Sequence, residues 1–123
     1  MVIGVGTDII EIARIEKAIT KDSFVKKYFT EKEIIFFKSK NCKAETIAGS
    51  FSAKEAVSKV LGTGFFSFGA IDIEIMHDDN GAPYVVLGGN AKTVAIEKKI
   101  ENICISISHC KDYAIAYAVA EGG

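Results

Sequence analysis

The chain has 123 residues, 49% of them apolar, with eight Phe and four Tyr, which predicts one folded domain and excludes a disordered chain. Its net charge of −1 argues against a protein that binds nucleic acid over its whole surface. No apolar run approaches the roughly 20 residues of a membrane span, and no signal peptide is recognisable. Three cysteines without metal-ligand spacing favour a reducing compartment, so we expect a cytoplasmic protein.

The first half of the chain carries helical patterns. A short apolar run with glycines over residues 2–6 predicts a buried strand, and Ile12, Ile15 and Ile19 then recur at helical spacing. Thr30 and Glu33 form a capping-box pattern that opens another helix. A longer helix is predicted from about residue 43 to residue 61, and Gly62 is its natural stop because glycine accepts positive φ.

The second half changes to the period-two alternation that is typical of strands. Its predicted elements are, in order, a strand through Ile71, Ile73 and Ile75, a turn at 79–81, a strand over 84–87, a helix from an Asn90 cap to about Ile100, and a hairpin of strands over 103–108 and 113–119. Early helices and late strands indicate an α+β fold, with helices packed on a largely antiparallel sheet.

Charge is unevenly distributed along the chain. Residues 11–45 hold nine Lys/Arg and six Asp/Glu, whereas residues 70–86 hold four acids and no Lys/Arg. A locally basic N-terminal third is suited to an acidic partner. The alternative is a set of ordinary solvated helix faces, and charge alone favours that alternative.

Glu55 and Lys59 lie four residues apart on the long helix, about 40° from each other around its axis. Ala53, Val57 and Leu61 cluster on the opposite side. Taken alone, the pair is best interpreted as a surface ion pair that contributes about 0.3–0.5 kcal/mol. It becomes half of an active site if the fold brings a further functional group to the same side of the helix.

Asp8 is a candidate for that group because it directly follows the first predicted strand. A carboxylate in this place is suited to Mg²⁺, which usually takes one or two protein carboxylates together with phosphate oxygens. The alternative is a turn or cap residue. Asp8 and Glu55 form a metal site only if the fold brings them together.

Ser106, Ser108 and His109 close a predicted strand. A Ser/His hydrolase would need a Gly-x-Ser-x-Gly elbow, which the sequence lacks. The two serines are better interpreted as hydroxyl donors beside a ligand or a neighbouring chain. His109 is suited to stacking on a base or donating to a phosphate, and equally to an ordinary hydrogen bond at a strand end.

These motifs together resemble one family. They are GVGTDIIE at residues 4–11, FSAKEA at 51–56 with Lys59 and Gly62-Thr63-Gly64, and SISH at 106–109. In this order, over nearly the whole chain, they resemble holo-acyl-carrier-protein synthases, the small bacterial 4′-phosphopantetheinyl transferases. The resemblance implies Mg²⁺-dependent transfer of phosphopantetheine from coenzyme A to apo acyl carrier protein, in support of fatty acid biosynthesis. It also implies a homotrimer with active sites between subunits.

The resemblance implies three groups of site residues. Asp8 and Glu55 correspond to the Mg²⁺ ligands and Lys59 to the active-site lysine, and these three are the predicted catalytic residues. The predicted coenzyme A contacts are Lys43, Lys54, Lys59, Gly62, Thr63, Gly64, Pro83, Ser106 and His109. The predicted carrier-protein contacts are Arg14, Lys17, Lys21 and Lys26.

Two positions depart from the family pattern, which usually has arginine at Ser50 and often lysine at Ala82. Neither change removes a predicted metal ligand, so we expect altered affinity for coenzyme A rather than lost activity. The rival hypothesis is a non-catalytic module that binds coenzyme A or an acidic helix. Asp8, Glu55 and Lys59 are all present, which favours the enzyme.

Overall fold

A computed structural model describes residues 1–62 and 67–123. The elements are, in order, β1 (Val2–Glu11), α1 (Ile12–Ala18), α2 (Asp22–Tyr28), α3 (Glu31–Ser39), α4 (Ala44–Leu61), β2 (Ile73–His77), β3 (Pro83–Leu87), α5 (Gly89–Glu97), β4 (Ile100–His109) and β5 (Tyr113–Gly122). Both sheets are antiparallel, so the predicted α+β class is confirmed. No helix in the described ranges combines the length and apolarity that a membrane crossing requires.

The larger sheet has the strand order β1-β5-β4, with β5 in the centre. One face of β5 consists of alternate alanines, all buried: Ala114, Ala116, Ala118 and Ala120. Such small side chains let a helix come close to the sheet, and α4 packs across β1 and β5 at this face. The smaller sheet is the β2–β3 hairpin.

The long helix α4 was predicted with nearly correct bounds. Lys43 is its N-cap, and Gly62 ends it in the left-handed conformation with φ of 85°. The helix is buried on most sides rather than along one stripe, because the sheet, the early helices and the β2 segment all contact it. Polar residues of α4 therefore have partners inside the protein.

At Gly6 the backbones of β1 and α4 approach each other closely. A Cβ atom on Gly6 would lie 2.1 Å from the carbonyl oxygen of Ala56 and 3.2 Å from Cβ of Lys59. A side chain there would force the helix away from the strand. Asp8 is two residues further along β1, so it points to the same face, toward α4.

The capping box of α3 is confirmed and extends into a buried network. Thr30 Oγ1 accepts from Glu33 N, and Glu33 Oε1 accepts from Thr30 N. Glu33 Oε1 also lies 2.7 Å from Lys54 Nζ, and Glu33 Oε2 accepts from Ile75 N at 3.0 Å. Neither charged side chain has solvent exposure, so α3, α4 and β2 depend on one buried ion pair.

Several predicted details were wrong. The first strand continues through Asp8 to Glu11 and exposes one face, including Val2 and Val5, because no further layer of the described residues covers it. Ile71 lies in a short 3₁₀ turn over 70–72 and is exposed. The helix α5 begins at Gly89 and ends at Glu97, and Asn90 is inside it and donates to Ser67 O rather than capping.

We predict that Gly6→Ala destabilises the protein by about 1–3 kcal/mol because the new methyl group meets helix backbone. Gly4→Ala is the matched control, since a Cβ there would be 3.6 Å from Val60 O, an ordinary contact. Urea unfolding of the two variants and the wild-type protein checks this. Equal stability of the two variants would contradict the close approach at Gly6.

Candidate active site

Asp8 is on β1, and its side chain faces α4. Its backbone pairs with Ala116 on β5, and its side chain is 17% exposed. Ser52 Oγ on α4 donates to Asp8 Oδ2 at 2.9 Å. The strand fixes the position of the carboxylate and the serine fixes its orientation.

Lys59 lies beside Asp8 rather than forming a surface pair with Glu55. Its Nζ donates to Thr7 O at 2.8 Å and is 3.7 Å from Asp8 Oδ1, with the side chain 55% exposed. The simple interpretation of Glu55 and Lys59 as an i,i+4 ion pair is therefore wrong, because β1 supplies the partners of the lysine. The ammonium group remains partly open to solvent and to an anionic ligand.

Glu55 is half-buried on α4, and its Oε1 atom accepts a hydrogen bond from the hydroxyl of Tyr28 on α2. Burial, followed by this hydrogen bond and the charge of Glu55, raises the pKa of Tyr28 above its ordinary value. Asp8 also raises this pKa, which indicates that both carboxylates lie near the phenol. Tyr28 therefore stays protonated and donates.

The fold thus brings Asp8, Glu55 and Lys59 to one side of α4. Among the described residues there is no group of three or more His, Cys, Asp or Glu that could hold a metal ion. Two carboxylates fit Mg²⁺, which completes its octahedron with waters and phosphate oxygens, and do not fit a closed zinc site. Each carboxylate accepts a hydroxyl group at one oxygen. The second oxygen of Asp8 is 3.7 Å from Lys59 Nζ, beyond hydrogen-bond distance, so it is suited to a metal cation, as is the second oxygen of Glu55.

A second feature is a cleft of about 300 Å³ between α3, α4 and the strand ends. It brings together the predicted residues Pro83 and His109, which lie far apart in sequence. Ser50, where the resemblance implies arginine, is buried in its wall. The lysine in the lining is Lys40, the C-cap residue of α3, and the predicted Lys43 is exposed at the start of α4 instead.

His77 is an unpredicted residue of this cleft. Its ring stacks on Phe36 with centroids 4.1 Å apart and planes 7° from parallel. Its Nδ1 atom is buried and has no hydrogen-bond partner within residues 1–62 and 67–123. Burial and then Lys40 lower the pKa of His77, against an opposing effect of Asp78, so the imidazole favours its neutral form.

Lys54 and Ser106 are not where a coenzyme A contact in the same site requires them. Lys54 Nζ is fully buried and donates to Ala70 O and Ile73 O besides pairing with Glu33, so its prediction as a ligand contact was wrong. Ser106 is exposed on the sheet face opposite to α4. Its remaining predicted partner is a neighbouring chain.

The glycine-rich stop after α4 is described only in part. Gly62 lies at the helix end with Lys98 Nζ nearby, 3.1 Å from the position a Cβ would occupy. Thr63 and Gly64 were also predicted to contact coenzyme A, and they lie outside the described residues.

Three of the four predicted carrier-protein contacts lie together. Arg14, Lys17 and Lys21 line a groove of about 510 Å³ on α1 and the start of α2, with Phe24 on its wall. Lys26 lies on another groove and pairs with Asp22 at 3.0 Å. The groove combines positive charge with an apolar wall.

The sequence analysis did not predict four residues near the candidate site: Tyr28, Ser52, Lys40 and His77. Ser52 carried a signal, because it lies three residues before Glu55 on the same helix. The other three reach their partners only through tertiary packing.

Comparison with known proteins agrees with this geometry. The sequence model of the 4′-phosphopantetheinyl transferase superfamily matches residues 4–118. A holo-[acyl-carrier-protein] synthase of Thermoanaerobacter sp. (strain X514) is 56% identical over 120 residues, which are 97% of this chain and 87% of that protein. The holo-[acyl-carrier-protein] synthase of Caldanaerobacter subterraneus subsp. tengcongensis is 52% identical, and the match covers 100% of this chain and 98% of that protein.

Solved structures give the same result. Helicobacter pylori holo-[acyl-carrier-protein] synthase in complex with coenzyme A is 35% identical with a TM-score of 0.84, over 95% of this chain and 99% of that one. The Bacillus anthracis enzyme in complex with CoA (3′,5′-ADP) is 36% identical with a TM-score of 0.82, and the match covers 100% of this chain and 99% of that one. The chain therefore belongs to the holo-[acyl-carrier-protein] synthase family of the 4′-phosphopantetheinyl transferase superfamily and is a transferase of phosphopantetheinyl groups.

Proposed function

We propose that this protein transfers the 4′-phosphopantetheine group of coenzyme A to a serine of apo acyl carrier protein and releases adenosine 3′,5′-bisphosphate. The observation that carries the proposal is that Asp8, Glu55 and Lys59 lie on one side of α4, with Lys59 beside Asp8 and both carboxylates near the Tyr28 hydroxyl. A module that only bound coenzyme A or an acidic helix would not need two oriented carboxylates. The names of the relatives and the coenzyme A complexes of two structural neighbours support the same reaction.

In the proposed reaction the serine Oγ of the carrier attacks the phosphorus attached to pantetheine. A new O–P bond forms, the bond from that phosphorus to the bridging oxygen breaks, and the bisphosphate leaves with the electron pair. Mg²⁺ bound by Asp8 and Glu55 would neutralise charge on the pyrophosphate. The exposed ammonium group of Lys59 adds a positive charge near the same phosphates.

The serine proton needs an acceptor, and Glu55 is the proposed base. Its Oε1 atom already accepts the hydrogen bond of Tyr28, so that oxygen is engaged. We therefore propose that the proton moves through a water molecule rather than directly to the carboxylate. Asp8 has no corresponding role, because its charge faces Lys59.

The cleft that contains Pro83 and His109 is proposed as part of the coenzyme A site. Lys40 provides a cation there, in a wall where Ser50 cannot provide one. Roles in fatty acid biosynthesis and in the cytoplasm remain predictions that follow from the family.

The transfer is tested by incubating the protein with coenzyme A, Mg²⁺ and apo carrier protein, and we expect a mass gain of about 340 Da on the carrier, the mass of one phosphopantetheine group. Asp8→Ala and Glu55→Ala should each lower the rate at least about 100-fold because Mg²⁺ loses a ligand. Glu97→Ala, on an exposed position of α5, is the control. No gain with several carriers would refute the function, and full activity of either ligand variant would refute the metal assignment.

The open face of the larger sheet supports a homotrimer. Val5 and Ile9 of β1 and Ile115 and Tyr117 of β5 are 42–62% exposed and lie side by side through the strand register. A contiguous apolar face of this kind is typical of an interface between subunits. Ser106 lies on this same face, which suits a contact with a neighbouring chain.

We expect sedimentation equilibrium to give the mass of three 13.3 kDa chains. Ile115→Lys should dissociate the trimer, because it places a charge on the apolar sheet face. Ile96→Lys is the matched control, since Ile96 is 65% exposed but lies on α5. A wild-type monomer, or equal behaviour of the two variants, would contradict an interface at this face.

The groove lined by Arg14, Lys17 and Lys21 is the proposed docking surface for the carrier. Acyl carrier proteins are acidic, so positive charge here speeds the encounter and fixes its orientation. The apolar wall at Phe24 adds a contact that salt does not screen.

We expect Lys21→Ala to raise KM for the carrier protein about threefold and to reduce its dependence on salt, with little change in kcat. Lys26→Ala, one helical turn away but outside the groove, should change both quantities much less. Initial rates between 20 and about 300 mM salt separate the two variants. A KM that is flat with salt in the wild-type protein would count against electrostatic docking.

A further inference from the structure

The two carboxylates of the site share an arrangement that the proposed reaction does not require. Asp8 accepts from the hydroxyl of Ser52, and Glu55 accepts from the hydroxyl of Tyr28. Ser52 belongs to the rigid helix α4, as Glu55 does. Tyr28 belongs to α2, a separate seven-residue helix, so its hydrogen bond connects two elements.

The Tyr28 ring is itself fixed by aromatic neighbours. It stacks on Phe51 at 4.7 Å and on Phe24 at 5.5 Å, and it meets Phe29 edge-on at 5.5 Å. Phe51 is on α4, one turn before Glu55, so the phenol is fixed relative to the helix that carries the glutamate. A ring restrained on three sides has a hydroxyl in a defined place.

A free glutamate side chain has three rotatable bonds, and restricting them costs conformational entropy. When a cation must first order the side chain, this cost reduces its affinity. A fixed donor that binds one carboxylate oxygen orders the side chain in advance and leaves the second oxygen for the cation. Removing hydrogen-bond partners of metal ligands typically lowers metal affinity 10- to 100-fold, about 1.4–2.8 kcal/mol.

We propose that Tyr28 is a positioning residue that orders the Glu55 carboxylate for a divalent cation, by a hydrogen bond from α2 to α4. This inference rests on the proposed function, since it assumes that Glu55 is a metal ligand. Tyr28 is on α2, the same helix that contributes Phe24 to the basic groove. This helix therefore contacts both the proposed carrier-binding groove and the proposed metal ligand Glu55.

The alternative is that Tyr28 is an aromatic residue of the core, and that its hydrogen bond to Glu55 only gives a buried hydroxyl group a partner. Tyr28→Phe separates the two, because it keeps the stacked ring and removes only the oxygen. Val25→Ala is the control for weaker packing of α2. It shortens a side chain of that helix in the same apolar cluster and leaves the Tyr28 hydroxyl in place. Tyr84→Phe, on an exposed position of β3, controls for loss of a phenol.

The measurement is a Mn²⁺ titration followed by electron paramagnetic resonance, with stoichiometric coenzyme A and no carrier protein, so that no turnover occurs. Coenzyme A alone gives the background. We expect Tyr28→Phe to raise the Mn²⁺ dissociation constant about 10-fold. Val25→Ala and Tyr84→Phe should match the wild-type protein, and thermal melts confirm that all variants are folded at the assay temperature.

The outcomes separate this inference from the proposed function. Wild-type affinity in Tyr28→Phe overturns the positioning role and leaves the metal site intact. An equal loss in Tyr28→Phe and Val25→Ala also overturns it, because general loosening of α2 then explains the effect. Wild-type protein that binds no Mn²⁺ beyond the background refutes the metal site, and the inference falls with it.

Discussion

The close contact between α4 and β1 at Gly6 is the constraint on which the site depends. The carbonyl oxygen of Ala56 occupies the space that any Cβ on Gly6 would need, so the two backbones approach more closely than side chains allow. Asp8 comes two residues after this contact and Glu55 one residue before it on the helix. Their convergence is therefore a consequence of backbone packing, and the side chains only refine it.

A second constraint orders the other side of α4. Lys54 and Glu33 are both fully buried, and breaking such a pair by removing one partner typically costs about 3–5 kcal/mol. Because Lys54 also binds two carbonyl oxygens from residues 70–73, it anchors the chain that follows α4. Neighbouring residues of one motif, Lys54 and Glu55, thus have different tasks: the lysine joins elements inside the protein, and the glutamate faces the site.

The sequence predicted most elements and the family, but not the contacts of the candidate site. Periodicity located α4 and the late hairpin, and Gly62 and Thr30 marked helix ends, since these signals are local. Lys54 was misassigned because its spacing in a motif cannot reveal whether the side chain points inward. Tyr28 and His77 carried no signal, because their partners, Glu55 and Phe36, are set by how separate helices and strands pack.

The two faces of the larger sheet explain why one short chain presents both the candidate site and an open apolar surface. The inner face carries alanines and glycine, whose small size lets α4 pack close to the sheet, beside Asp8. The outer face carries Ile9, Ile115 and Tyr117, large apolar side chains that are 42–62% exposed. Period-two alternation along β1 and β5 therefore separates two surfaces: residues of one parity face α4 and the candidate site, and residues of the other parity form the open apolar face.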